Sequence, residues 1–172
     1  MAPPLRKTVL VFHVASSVGW MGAVAVFVAL DLAARLNADA ELNRVIWLAL
    51  DATGWTLLVP LAIASLTSGL IAALGSRWGL LRHYWVLFKL LITAFATLVL
   101  VVQTPGFATQ ATRAVDPTVD PGALGSELLH TGGGLLVLSL ALILSVYKPR
   151  GMTRYGQRKQ RSPASMPARG TV

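Results

Sequence analysis

The sequence predicts an all-α protein, a bundle of four transmembrane helices. Three observations carry that prediction. Of 172 residues, 55% are hydrophobic and 13% charged, with a mean hydropathy of +0.64; such a chain is too apolar for an ordinary soluble domain. Its apolar residues gather into four runs separated by polar or Gly/Pro-rich connectors. The charges sort by connector: eleven of the fifteen basic residues flank one set of helix ends, and all seven acids fall at the other. Three or five spans would scramble that partition, so four spans with both termini cytoplasmic satisfy the positive-inside rule.

The first span is expected over residues 8–34, after the basic start MAPPLRK. It is longer than a signal-peptide core and lacks a small-x-small cleavage site before a polar region, so it reads as a retained helix. A polar connector, 35–44, follows. Residues 45–54 are either an interfacial half-turn or an outer extension of the second span, which is expected over 55–74 with a kink at Thr56 to Pro60. The basic loop 77–83 leads into the third span, 84–102. Residues 104–125, with Pro105, Pro117 and Pro121, read as a long loop. The fourth span, 126–147, is stopped by Pro149 and Gly151. Residues 1–148 thus form the membrane domain, and 149–172 a basic, disordered cytoplasmic tail.

Composition also limits the chemistry. The chain has no cysteine, which excludes disulfides, thiolate metal sites and cysteine nucleophiles. A net charge of +8 could suggest nucleic acid. The basic residues instead sit beside apolar runs, which suits an anionic inner leaflet and argues against nucleic-acid binding. The expected location is the bacterial inner membrane. No residue set points to catalysis, and the metal content is left open, as is a protein partner or homo-oligomer.

The candidate site residues are the polar groups inside the spans. Lys89 lies six residues past His83, so it sits roughly 9 Å into its helix at 1.5 Å per residue. His13 lies six residues after Lys7, at the same expected depth. Ionisable groups there are costly and are functional candidates. His13, Ser17 and Trp20 share one helical face, at i, i+4 and i+7. Ser65, Thr67 and Ser68 approach the same level from the second span. Lys89, Thr93, Ala96 and Gln103 form a small or polar stripe on the third span, which should face the bundle interior. His130, beside Glu127, lies near the opposite surface. Structural readings stand beside these: Lys89 can snorkel to the headgroups, His13 can be a hydrogen-bonded bundle residue, and Trp20 can be packing. Trp47, Trp55, Trp78, Trp85 and Tyr147 read as interfacial anchors. Gly132 to Gly134 lacks the Lys-Ser/Thr of a phosphate loop and reads either as a close-packing segment or as a local weakness in span four.

These residues carry a resemblance. His13-x6-Trp20-x-Gly22 on the first span, with Trp85-x3-Lys89-Leu90 on the third, is similar to the small four-helix membrane proteins of the copper-resistance-D type. It is also similar to the membrane protoporphyrinogen oxidase that carries haem. The block RWGLLRHYWVLFKLL and the ending SVYKPRG resemble an uncharacterised family of small actinobacterial integral membrane proteins, over nearly the whole chain. The resemblance to the haem-carrying oxidase implies His13 and Lys89 near a cofactor. The chain departs from that pattern in having no His after span one, and Val101, Val102 and Gln103 after span three. Three function classes follow: a membrane protein whose inner-leaflet pocket of His13, Lys89 and Ser68 binds a ligand or stabilises the bundle; a haem-binding or redox protein; and a small-ion or metal transport component.

Overall fold

The structure, a computed structural model, describes residues 2–75, 80–120, 124–149 and 151–161. The helices are α1 (Pro3–Leu36), α2 (Ala40–Thr53), α3 (Val59–Leu74), α4 (Tyr84–Ala114), α5 (Leu128–Tyr147) and α6 (Arg154–Arg161), with a π-helical turn, Gly54–Leu58, fusing α2 to α3. Among the described residues four helices are long and apolar enough to cross a membrane: Pro3–Leu36, Ala40–Leu74, Tyr84–Ala114 and Leu128–Tyr147. The fold is an all-α four-helix bundle, and its composition suits a multi-pass integral membrane protein. Large apolar side chains such as Phe12, Phe88, Phe95 and Leu136 point outward, the inverse of a water-soluble protein.

Within the bundle α1 lies beside α3 and α5, and α4 beside the same two helices. Helices α1 and α4 therefore oppose each other across the diagonal, where only long side chains bridge the interior. Phe27 and Phe107 do so in an edge-to-face contact, with centroids 5.4 Å apart.

The second helix begins fifteen residues before the expected start of the span. Asp39 caps it, accepting from the backbone N–H of Glu41 at 2.9 Å and of Leu42 at 3.3 Å. Of the two readings of 45–54, the outer extension is the one observed. Pro60 has no N–H to give its helix, and the π turn beside it, closed by Val59 N–H to Gly54 O, absorbs the mismatch where a kink was expected.

The third long helix does not end at 102. It runs through Pro105 to Ala114, so the first half of the expected loop is helical. Phe107, Ala111 and Ala114, at i, i+4 and i+7, bury against the α2 face of Ile46, Trp47 and Leu50. Tertiary burial outweighs the one backbone hydrogen bond that Pro105 removes. The same packing places Trp47 in the core at 2% exposure, where an interfacial anchor was expected. Trp55 and Tyr147 are exposed, and Trp78 lies outside the described residues.

The tail also departs from expectation over residues 151–161. Tyr84 N–H donates to Gly151 O at 3.3 Å and Thr153 N–H to Arg82 O at 3.0 Å, and His83 and Met152 form an isolated antiparallel bridge. The Thr153 hydroxyl accepts from Gly156 N–H at 3.1 Å, opening α6. Gly156 rests directly on the loop backbone: a Cβ there would stand 2.5 Å from Arg82 O. Residues 162–172 lie outside the described residues, and the disorder expected there with them.

Candidate functional site

The first helix carries His13 into the bundle interior on the face by which Ser17 meets α3. Ser17 Oγ lies 2.7 Å from Ser65 Oγ, and Ser16 Oγ donates to His13 O at 3.1 Å. The His13 ring then lies directly against Gly69, where a Cβ would stand 2.8 Å from its Cε1 atom. Glycine is what lets the imidazole enter.

Both ring nitrogens of His13 have partners. Nδ1 stands 3.1 Å from Ser65 O and 3.2 Å from Ser68 Oγ. A carbonyl can only accept, so Nδ1 carries the proton and donates. The Ser68 hydroxyl donates its own proton to Ala64 O, which leaves its lone pairs for the imidazole. Nε2 is then an acceptor, and Lys89 Nζ stands 3.5 Å from it. This contact spans the α1–α4 diagonal, so Lys89 reaches across the bundle interior instead of following its own helix to the headgroups. Among the described residues no carboxylate stands within ion-pair distance of Lys89.

The rest of the expected stripe also turns inward. Thr93, Ala96 and Thr97 are buried. Their hydroxyls serve their own helix, however: Thr93 Oγ1 donates to Lys89 O at 2.6 Å and Thr97 Oγ1 to Thr93 O at 2.9 Å. They do not form a relay. Gln103 meets His130 instead, with its amide nitrogen 2.5 Å from Nε2, while His130 Nδ1 donates to Glu127 Oε2 at 3.1 Å. The two histidines thus belong to separate clusters at opposite ends of the bundle.

Between them lies an apolar cleft of about 580 Å³ formed by α1, α4 and α5, with Trp20 in its wall and Gln103 and His130 at its edge. Neither His13 nor Lys89 lines it.

Compared with known proteins, the chain matches no protein-family model, no curated protein and no solved structure.

Two groups escaped the sequence reading. Gly69 carried no sequence signal, because its role depends on the axial register of α1 against α3. Asp31 did: it is an acid inside the first apolar run. It is 1% exposed and accepts from Ser126 Oγ at 3.2 Å, while the Ser126 hydroxyl also accepts from Leu128 N–H at 3.1 Å. Asp31 therefore ties the C-terminal end of α1 to the start of α5.

The resemblance implied a haem cofactor beside the His13–Lys89 cluster. A haem iron needs an imidazole lone pair facing open space. His13 Nδ1 is committed to Ser65, the Nε2 side is taken by Lys89 Nζ, and the cleft is elsewhere. Haem does not fit between His13 and Lys89 as these side chains stand. Among the described residues no group of three or more His, Asp or Glu side chains could hold a metal ion.

Proposed function

We propose that this is a multi-pass protein of the bacterial inner membrane, both termini cytoplasmic, whose His13–Lys89 pair binds an anionic group at the inner leaflet. The observation that carries the reading is the Lys89 Nζ–His13 Nε2 contact of 3.5 Å with no carboxylate beside it among the described residues. An ammonium has three donors and a charge that low dielectric leaves poorly compensated. The imidazole takes one donor, and a carboxylate or phosphate would take the others through charge-assisted hydrogen bonds. His13, locked by Ser65 and Ser68 in the accepting tautomer, acts as the positioning residue that holds Lys89 inward. Charge partition supports the orientation, since Arg6, Lys7, Arg82 and Lys148 stand at the same end as this pair.

The ion-transport reading has less support, because the threonines between Lys89 and Gln103 turn back onto their own carbonyls. A simply structural role predicts that Lys89→Met is neutral or stabilising and changes no binding. The test is titration of the full chain, in neutral phosphatidylcholine nanodiscs, with a spin-labelled fatty acid and an alkyl phosphate. Saturable binding is expected, weakened at least tenfold by Lys89→Met and less by His13→Gln. Equal binding by wild type and Lys89→Met would overturn the assignment.

A further inference from the structure

We infer that the end of the bundle opposite the His13–Lys89 pair binds one small, hard monovalent cation of the sodium class, held by the Asp31 carboxylate and the Gln110 side-chain oxygen. This does not rest on the anion reading of His13 and Lys89, which belongs to the other end. Asp31 is a carboxylate that the fold satisfies on one side only. Its Oδ2 accepts from Ser126 Oγ at 3.2 Å, and the Glu127 backbone amide faces the same carboxylate. Its Oδ1 is buried without a hydrogen-bond partner. A buried charge is costly unless it is paired, and among the described residues no basic side chain stands within ion-pair distance of Asp31. Arg35, one turn on, is exposed, and Arg44 lies 3.9 Å from Glu41 instead. The other charge that acts on Asp31, Glu127, is itself acidic.

A second oxygen comes from α4. Gln110 Oε1 is buried and has no hydrogen-bond partner either. Helices α1 and α4 run in the same direction, since His13 meets Lys89 and, further along both, Phe27 meets Phe107. Asp31 is four residues past Phe27 and Gln110 three past Phe107, so each stands one turn on, on the side of its helix that carries the ring contact. The two side chains also reach consecutive residues of the segment that enters α5. Asp31 is bonded to Ser126, and the Gln110 amide presses on Gly125, where a Cβ would stand 2.7 Å from Nε2. Consecutive Cα atoms are about 3.8 Å apart, which brings the carboxylate and the amide to one place. A third buried oxygen without a partner, Asn43 Oδ1, lies on α2 at this end, with Asn43 Nδ2 donating to Asn37 O at 3.2 Å.

Oxygen ligands without nitrogen or sulfur suit a hard cation. The charge of one buried carboxylate is balanced by one monovalent ion. Glu127 does not add a second, because its Oε2 is engaged by His130 Nδ1, and among the described residues no group of three acids or histidines could hold a divalent metal.

The experiment is equilibrium binding of radiolabelled sodium ion to the full-length protein in neutral phosphatidylcholine nanodiscs, with choline chloride holding the ionic strength constant. Saturable binding of one ion per chain is expected. Asp31→Asn should abolish it and Gln110→Leu should weaken it at least tenfold, with thermal unfolding of both variants followed alongside. Sodium should also raise the unfolding temperature of the wild type, as any ligand of the folded state does, and not that of Asp31→Asn. Should Asp31→Asn fail to fold, Gln110→Leu carries the test, and unchanged affinity in that variant would overturn the inference. No saturable sodium binding, or binding unaltered in a folded Asp31→Asn, would overturn it as well. So would a protonated-carboxyl infrared band, lost in Asp31→Asn, that persists at high sodium; that result assigns Oδ1 to a proton.

Discussion

His13 is held on three sides: by Ser65 and Ser68 at Nδ1, by Lys89 at Nε2, and by the bare face of Gly69. A ring fixed at both nitrogens cannot slide away from a new methyl group. Gly69→Ala should therefore destabilise the fold by about 1–3 kcal/mol, the usual range for overpacking, in chemical denaturation of the micelle-bound protein. Gly133→Ala, where a Cβ meets nothing, should not. Outside the bundle, Asp116 accepts from Thr118 N–H at 2.8 Å and Thr118 Oγ1 at 2.6 Å, and these bonds hold its carboxyl below the usual carboxylate range. For a depressed acid the contribution is present above the unfolded-state pKa and is lost as pH falls through the lowered folded value. Exchange protection of the Thr118 amide should persist at pH 5 and disappear only in the acid range below about 4; loss near neutrality would contradict the assignment. His13 and Lys89 were legible in the sequence because a titratable group is expensive in an apolar run. Ser65 O and Gly69 were not, because a carbonyl or a missing Cβ gains meaning only once two helices are in register.

At the scale of elements, the bundle is longer than a bilayer needs. Thirty-one residues in α4 span roughly 46 Å at 1.5 Å per residue, against a hydrocarbon core of about 30 Å. The excess is the section after Pro105, held to α2 by Phe107, Ala111 and Ala114. Phe107 also meets Phe27, so Phe107→Ala should cost about 3–5 kcal/mol. Hydrogen exchange should localise the loosening to residues 40–53 and 105–114 and spare α5; uniform loosening would show that the section is not a separate packing unit. Four spans were legible because length and hydropathy are summed over twenty residues. The end of α4 was not, because Pro105 is a strong local stop signal and the opposing force comes from a helix some sixty residues earlier. The tail illustrates the same limit: Gly151 reads as a stop to the fourth span, yet Gly151, Thr153 and Gly156 are what allows the chain to lie against Arg82.

For the whole molecule, neighbouring spans run antiparallel, and the opposed pair α1 and α4 leaves an interior that is not uniformly apolar. Basic groups gather at one end around His13 and Lys89, acids at the other around Asp31 and Glu127, and the cleft opens between the two. The account rests on His13 and Lys89 meeting inside the bundle. Nitrogen-15 NMR of selectively labelled histidine in bilayers tests this most directly, since the chain has three histidines. The predicted result is a His13 ring with its proton on Nδ1 and an accepting Nε2 whose resonance moves on Lys89→Met, while His130 is unchanged. A His13 ring protonated on Nε2 and indifferent to Lys89→Met would contradict it.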